Sequence, residues 1–275
     1  MHNKDTVLKY RKRIFKAVEE LFNLAIKNQE TMDDIVCFLC NGQNNYGYNM
    51  FGPGERGITD RHQSEFLIDF MNTSEESVLL ANLNSDKEKE RLERYSLNIE
   101  LMIYSHLWEM EWSLSNLMHL ANFVEGIQYD WKLKIPWQEK WEFITKTIRA
   151  VFEKSNLDIA NLLKETYHSQ LRNAFAHGQY GLSWKIIQLY NFTGKSYELS
   201  AITFEDWEVR FIKTVDIFIE IANQKFQLLK KYSIEKPVLR VWTPVKYPTR
   251  FRRTEIYWDE YAGYYSFNKN VLKTT

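Results

Sequence analysis

Residues 172–177 place an arginine, an amide and a histidine within six positions of one another. Arg172 carries a permanent positive charge on a planar fork of donors that matches phosphate oxygens. His177 can take up or release a proton near neutral pH. Asn173 can orient either group or the substrate beside them. These residue types together could move a proton while stabilising negative charge on a phosphate.

The same residues also fit a purely structural role. Gly178 is a natural residue to follow a helix end, and cations near that end interact favourably with the helix dipole. A second Arg/His pair, Arg56 and His62, lies in a segment containing Gly and Pro, with no Asn after the arginine and no core helix before it. Spacing alone therefore does not separate the functional role from the structural one.

Helical periodicity surrounds the segment on both sides. Apolar residues recur every three or four positions, which predicts amphipathic helices whose apolar faces build one core. The predicted helices cover residues 6–29, 60–71, 92–124, 136–154, a stretch capped by Asn156 or Asp158 that leads into 172–177, and 204–232. The helix over 92–124 is apolar on more than one face, so we expect it at the centre of the core.

Three segments break this pattern. Residues 41–59 are rich in Asn and Gly and are predicted to form a loop. The β-branched and aromatic runs on either side of Thr193 and Gly194 predict a short hairpin. The aromatic tail, with two more prolines, predicts extended strands or a packed arm.

These elements predict a mainly all-α fold: a helical bundle with a short β-hairpin insertion and an N-terminal helical extension. The expected division is an N-terminal helical and loop extension over residues 1–91, a helical core over 92–232 and an aromatic, basic C-terminal arm over 233–275. With 275 residues, the chain is at the upper end of what one hydrophobic core can organise.

The order Arg172, Asn173, three variable residues and His177 resembles the HEPN superfamily. The resemblance extends to the setting: a long core helix, a second helix, the motif at the end of a third helix and a last long helix. It covers about residues 92–232, roughly half of the chain. The motif is short, so its specificity comes from the agreement between the motif and its helical setting.

The resemblance implies a metal-independent ribonuclease that needs no cofactor, with Arg172, Asn173 and His177 as its catalytic residues. In that chemistry a ribose 2′-hydroxyl attacks the adjacent phosphate, His177 transfers the proton and Arg172 stabilises the phosphorane. The implied partner is RNA. HEPN proteins also generally dimerise with their motifs facing each other.

Helical geometry constrains how Arg172 and His177 can act together. Residues five apart on a regular helix point about 140° away from each other. Either the helix breaks near Gly178, or a second copy of the chain supplies the missing group across a two-fold interface. We favour a homodimer with a composite active site.

Two functions follow from the resemblance. The first is an RNA endonuclease of toxin or defence type, which implies an inhibitor or antitoxin protein as a further partner. The second is a non-catalytic, dimeric binding or scaffold protein, as inactive members of the superfamily are. The intact motif favours the first, and the neutral net charge leans slightly towards the second.

Other titratable residues are weaker candidates. His168 lies one helical turn before Arg172 and could extend the same cleft, although a helix-surface role is the commoner one. Glu109 and Glu111 lie in a strongly apolar helix, where a carboxylate needs a cationic partner such as Arg172 or Arg149. We therefore expect salt bridges there.

His106 and His119 are expected to be core or interface residues. Cys37 and Cys40 have the spacing of half a zinc site or of a redox pair, but no matching Cys or His pair accompanies them, so we expect reduced core thiols and no metal site. Gly52, Gly54 and Gly57 spell a dinucleotide-binding pattern without the strand and helix that it requires.

The tail mixes cations with aromatic rings, as single-stranded RNA binders do, although packing against the core is the commoner role of such rings. The residues are Arg240, Lys246, Arg250, Arg252, Arg253, Trp242, Tyr247, Phe251, Tyr257 and Trp258.

Composition limits the classes of partner. The 36 Lys and Arg residues equal the 36 Asp and Glu residues, so any nucleic-acid site must be a local patch. The polar N-terminus does not look like a secretory signal, and no apolar run is long enough to span a membrane. We expect a cytoplasmic protein with no membrane partner.

Overall fold

The computed structural model describes residues 4–45, 48–52, 86–183, 185–245, 250–261 and 263–267. The helices are α1 (Lys4–Asn28), α2 (Asp34–Leu39), α3 (Asp86–Glu109), α4 (Glu111–Val124), α5 (Lys140–Glu142), a π-helix (Phe143–Arg149), α6 (Ala150–Lys154), α7 (Ile159–Thr166), α8 (Ser169–Ala176) and α9 (Phe204–Glu235). The strands are β1 (Gln43–Asn45), β2 (Tyr48–Met50), β3 (Tyr180–Ser183), β4 (Ile186–Leu189), β5 (Ala201–Thr203), β6 (Val238–Val245), β7 (Arg250–Asp259) and β8 (Tyr264–Ser266).

The described strands form three small antiparallel sheets, β1–β2, β3–β4–β5 and β6–β7–β8. Helices dominate, but 17% of the structure is strand, so the prediction of an all-α fold is wrong. The fold is mixed α/β. The prediction failed because it was based on the helical periodicity of most of the chain and treated the tail as an appendage. In the structure β6–β8 pack Val241, Ile256 and Tyr265 into the common core.

The core is built around α1, α4 and α9. Helix α1 packs against both other helices, and its predicted apolar face is fully buried at Val18, Leu21 and Ala25. This helix was expected in an N-terminal extension, yet it lies inside the same hydrophobic cluster as the other helices. The division of the chain into three parts remains a prediction.

Two helices agree closely with the sequence pattern. The predicted helix over 6–29 is α1, and the predicted last helix over 204–232 is α9. Helix α9 begins where the Thr203 hydroxyl accepts a 3.0 Å hydrogen bond from the backbone N–H of Asp206, the usual way in which a threonine caps a helix. It ends at Glu235, two residues before Pro237.

Other helix boundaries differ from the predictions. The predicted helix over 92–124 is two helices, because Met110 between α3 and α4 has an extended backbone. The helix predicted to start at Pro136 starts at Lys140, after Glu139 in a left-handed conformation. Asp158 stands at the N-cap of α7 but makes no side-chain cap there, since its carboxylate pairs with Arg13 instead.

The predicted hairpin around Thr193 and Gly194 is a three-stranded meander. Strands β3 and β4 pair from Tyr180 opposite Leu189 to Ser183 opposite Ile186, and Thr193 and Gly194 lie in the loop before β5. The tail predicted as strands or an arm is the sheet β6–β8. The predicted loop over 41–59 contains the hairpin β1–β2.

Some predictions lie outside the described residues. These are the helix over 60–71, the pair Arg56 and His62, and Gly54 and Gly57. None of the described helices combines the length and apolar character that a membrane span needs.

Candidate functional site

Helix α8 carries the motif and ends within it. Its last residue is Ala176, and His177 follows in the C-cap position. Gly178 has a φ of +63°, the left-handed conformation expected of a glycine after a helix. The backbone N–H of Gln179 donates to the carbonyl of Ala174 at 2.8 Å and closes the helix end. The helix therefore breaks at the motif, one of the two possibilities that the five-residue spacing leaves open.

The three motif residues lie in different surroundings. Arg172 points towards α3, and its side chain is only 18% exposed. Asn173 and His177 are exposed at the surface. Within the described parts of the chain, no hydrogen bond joins Arg172 to His177, and the imidazole of His177 has no polar partner. The structure thus provides an accessible imidazole and a largely covered guanidinium on one short helix.

Arg172 forms an ion pair with Glu109, the last residue of α3, through Nη1 and Oε1. The prediction that Glu109 needs a cationic partner such as Arg172 is therefore confirmed. Lys140 contacts the same residue twice, donating to the backbone carbonyl of Glu109 at 2.8 Å and to its carboxylate at 2.5 Å. The C-terminal end of α3, which the break at Met110 leaves open, is thereby capped by a lysine.

On its other side, α8 is held to α3 through Tyr104. The Tyr104 hydroxyl donates to the carbonyl of Thr166 at 2.8 Å and accepts from the backbone N–H of His168 at 3.0 Å. It therefore bridges the end of α7 and the start of α8, where Tyr167 and His168 are extended. Arg210, on α9, donates to the same Thr166 carbonyl at 3.2 Å.

Burial shifts the pKa values of these groups. Loss of solvent raises the pKa of Tyr104 to about 12, so the phenol stays protonated near neutral pH. Burial, followed by the positive charge of Arg210, lowers the pKa of His168. Burial also lowers the pKa of Arg172, although an arginine stays charged in any case.

Sequence reasoning missed three residues of this region: Tyr104, Lys140 and Arg210. Each was part of a predicted helix, and a single polar residue on a helix does not reveal its partner far along the chain. Lys140 lies 31 positions from Glu109, and Arg210 lies 44 positions from Thr166. Only the packing of α3, α7 and α9 brings them together.

The other histidines lie where their surroundings explain them. His119 is buried and stacks on Tyr129 with ring centroids 4.3 Å apart. His106 is at the exposed surface of α3, and its ring nitrogen lies 2.9 Å from the carbonyl of Met102. His119 fits the core role that was expected, whereas His106 is not a core residue.

Cys37 and Cys40 are free, buried thiols, and burial raises the pKa of Cys40 to about 12. Among the described residues, no three His, Cys, Asp or Glu side chains are grouped as metal ligands. Because burial raises the pKa of both cysteines, these thiols are not ionised near neutral pH.

In the described part of the tail, two of the cations are engaged with other side chains. Arg240 pairs with Glu255 at 2.9 Å, and Arg253 lies 5.3 Å over the ring of Trp242. Lys246, Tyr247 and the side chain of Arg250 lie outside the described residues. Contact between the tail and RNA stays a prediction.

No protein-family model matches this chain, and neither a curated protein nor a solved structure is significantly similar to it. The resemblance to the HEPN superfamily therefore depends on residues 172–177 and their helical setting alone.

Proposed function

We propose that this protein is a metal-independent RNA endonuclease of toxin or defence type that acts in the cytoplasm. The observation that carries the proposal is His177: an exposed imidazole that has no polar partner among the described residues and stands at the end of the helix that bears Arg172. A surface histidine with both ring nitrogens available can accept and donate protons. HEPN-type chemistry requires this property of its histidine.

In the proposed reaction the 2′-oxygen of a ribose attacks the adjacent phosphorus and gives up its proton. The 5′-oxygen leaves and takes up a proton, so the products end in a 2′,3′-cyclic phosphate and a 5′-hydroxyl. His177 transfers the proton, Arg172 stabilises the charge on the phosphorane, and Asn173 orients the ribose or the imidazole. The nucleophile belongs to the substrate, so this route uses no metal-bound water.

Arg172 retains donor capacity for this role despite its ion pair. Its Nη1 faces Glu109, but its Nε is buried without a hydrogen-bond partner among the described residues. A phosphate oxygen would supply that partner and would also offset the cost of a covered guanidinium. The proposed partners are RNA, a second copy of the chain and an inhibitor or antitoxin protein that restrains a toxic nuclease.

A second candidate is a non-catalytic, dimeric binding or scaffold protein of HEPN type. The ion pair between Arg172 and Glu109 favours this alternative, because it explains the arginine without any substrate. In that case Arg172 contributes to the junction between α3 and α8, and His177 is an ordinary surface residue at a helix end.

The test is incubation of the purified protein with mixed RNA in EDTA, comparing wild type with His177→Ala. His106→Ala is the matched control, since it removes another exposed histidine outside the motif. We expect cleavage by wild type and the control, no cleavage by His177→Ala, and products with 2′,3′-cyclic phosphate ends. A 2′-deoxy substitution at the scissile position should stop the reaction.

Cleavage that needs a divalent metal, persists in His177→Ala or proceeds equally on DNA would contradict the proposal. Absence of any cleavage, with RNA or a protein still bound, would favour the scaffold alternative.

A further inference from the structure

Arg210 is a half-buried cation without a carboxylate. None of the described acidic side chains lies within ion-pair distance of its guanidinium, and its polar contacts are the Thr166 carbonyl and the Tyr104 hydroxyl. The neighbouring cations are arranged differently. Lys213, three residues further along α9, pairs with Glu165 at 2.7 Å, and Arg13 pairs with both Glu165 and Asp158. Arg210 thus differs from cations that lie beside it in the fold.

Several side-chain nitrogens near Arg210 share one property. Nε of Arg210, Nε of Arg172 and Nδ1 of His168 are all buried without a hydrogen-bond partner among the described residues. Buried polar atoms are nearly always paired, so a group of unpaired atoms in one place needs an explanation. Ten such side-chain atoms occur in the described structure. Three of them belong to residues near the Tyr104 hydroxyl: Arg210 contacts that hydroxyl and the Thr166 carbonyl, His168 donates its backbone N–H to it, and Arg172 lies one helical turn after His168 on α8.

Two further unpaired atoms belong to aromatic residues near Tyr104. The indole nitrogen of Trp108 and the hydroxyl of Tyr167 are also buried without a partner in the described structure. Trp108 is fully buried and contacts both aromatic neighbours, with ring centroids 4.9 Å from Tyr167 and 6.4 Å from Tyr104. Both atoms can donate a hydrogen bond. The unpaired atoms of this region are therefore mainly hydrogen-bond donors.

We propose that Arg210, Arg172 and His168 form a phosphate-binding pocket at the junction of α7 and α8, beside Tyr104. The proposal rests on the unpaired side-chain atoms described above. Its assignment to the RNA backbone rests on the proposed ribonuclease function, in which the pocket would hold the scissile phosphate whose negative charge Arg172 stabilises.

The donor set fits a phosphate better than other anions. Two guanidinium groups present planar forks from different helices, α8 and α9, and tetrahedral phosphate can accept from both at once. A carboxylate has only two oxygens in one plane. The start of α8 adds the positive end of its helix dipole.

The direct test is NMR of the arginine Nε–H signals of the full-length protein during titration with inorganic phosphate. Acetate at equal ionic strength is the control anion. We expect the Nε–H signals of Arg172 and Arg210 to shift with phosphate and to move much less with acetate. Absence of a phosphate-dependent shift at Arg210 would overturn the pocket without any substitution.

Variants locate the binding. We expect Arg210→Gln to weaken phosphate binding about tenfold, since it removes a charge-assisted pair of hydrogen bonds. Lys146→Gln is the control of equal charge change, at an exposed lysine that pairs with Glu142 outside the motif and the tail, and it should bind phosphate like wild type. Arg210→Lys keeps a cation near the Thr166 carbonyl. Phosphate binding that is retained in Arg210→Lys but weakened in Arg210→Gln would show that the lost cation, and not lost folding, is the cause. Equal phosphate binding by wild type and Arg210→Gln would place the phosphate elsewhere and overturn the proposal.

The source of the phosphate is tested with an uncleavable, 2′-O-methylated RNA oligonucleotide. If the pocket holds the RNA backbone, inorganic phosphate competes with this RNA, and Arg210→Gln lowers the slope of binding against salt by about one phosphate contact. RNA binding that is unchanged by inorganic phosphate and by Arg210→Gln would overturn the assignment to RNA. Phosphate binding that depends on Arg210, in a protein that cleaves no RNA, would uphold the pocket and reject the ribonuclease.

Discussion

At the scale of single residues, Arg172 and His177 lie in different surroundings although they belong to one motif. Arg172 is covered and contacts Glu109 on α3, whereas His177 lies exposed beyond the end of α8. Removing Arg172 leaves the Glu109 carboxylate with Lys140 as its remaining cation. Removing the His177 side chain breaks no polar contact in the described structure. The two substitutions should therefore differ in their effect on folding.

The first prediction is that Arg172→Ala lowers the free energy of unfolding by about 1–3 kcal/mol, while His177→Ala changes it by less than about 0.5 kcal/mol. If both side chains acted on the phosphate alone, either substitution would leave the fold intact. The Glu109 ion pair changes that expectation for Arg172. Urea denaturation of the three proteins measures the difference, and equal stability of both variants would show that the ion pair adds nothing.

Of the candidate site, the sequence provides the residue types and the helix end, because Gly178 and the apolar period are local signals. It does not provide the contacts of Arg172. Those depend on Glu109, 63 positions earlier, and on the break at Met110 that places this carboxylate at a helix end. The sequence named Arg172 only as one possible partner of Glu109. Arg210 and Tyr104 had no local signal at all.

The second prediction concerns the pH dependence of folding at His119. Burial lowers the pKa of this imidazole to about 3 in the folded protein, against about 6.5 in the unfolded chain. Between these values the unfolded state binds more protons, so the free energy of unfolding falls as pH drops from about 6.5 to about 3. Above pH 6.5 both states are neutral and the effect is absent.

His119→Phe should keep the stacking on Tyr129 and remove the titration. The loss of stability between pH 7 and pH 4 should therefore be smaller in the variant than in wild type by a few kcal/mol, on the order of 1.4 kcal/mol for each pH unit crossed. Urea denaturation at both pH values measures it. The same loss in both proteins would show that His119 is not held neutral by the core.

At the scale of elements, the helices with strong local patterns were predictable and the breaks were not. Helices α1 and α9 were predictable from apolar residues that recur every three or four positions. The breaks at Met110 and at Tyr167–His168 contain no proline or glycine. They are stabilised from a distance, by Lys140 on the Glu109 carbonyl and by Tyr104 between Thr166 and His168. A sequence pattern read over neighbouring residues cannot reveal such contacts, because the partners lie far apart along the chain.

The third prediction concerns the link between α8 and the β3–β5 meander. Gln170 donates through Nε2 to Asn191 at 3.2 Å and to the Leu199 carbonyl at 2.8 Å, and its Oε1 accepts from the backbone N–H of Leu199 at 2.8 Å. Gln170 is buried, so its loss leaves unpaired groups at both ends of the 191–199 loop. This loop runs beside the motif helix.

We expect Gln170→Ala to lower the free energy of unfolding by about 1–3 kcal/mol and to speed hydrogen exchange at the Leu199 amide. Gln188→Ala is the matched control, since that exposed glutamine makes one hydrogen bond, to the Ser200 carbonyl at 3.1 Å. An unchanged exchange rate at Leu199 in the Gln170 variant would mean that other contacts hold the loop to α8.

At the scale of the whole molecule, a neutral chain must gather positive charge locally if it binds RNA. The 36 basic residues are matched by 36 acidic ones, and many cations of the described structure are paired. Arg210 has no carboxylate partner within that structure, and Arg172 has only one of its donors engaged by Glu109. A second copy of the chain would double these charges around one cleft, and it would also supply a second exposed His177.

The last prediction is therefore a homodimer in which Arg172 of one protomer acts with His177 of the other. His177 stands at the C-cap of α8, with its backbone N–H still bonded to the Asn173 carbonyl and its imidazole without a polar partner in the described structure, while Arg172 faces α3 in the same protomer. Light scattering should give twice the 33.1 kDa mass of one chain.

Complementation then tests whether the site is shared, using His177→Ala and Arg172→Gln, which keeps an amide donor towards Glu109. Each variant alone should be inactive. Mixed and reassociated, about half of the dimers carry one variant of each kind, and each of these has one intact pair, so roughly a quarter of the wild-type activity should return. A fully active monomer, or a mixture that stays inactive although mixed dimers form, would show that Arg172 and His177 of the same chain do the work.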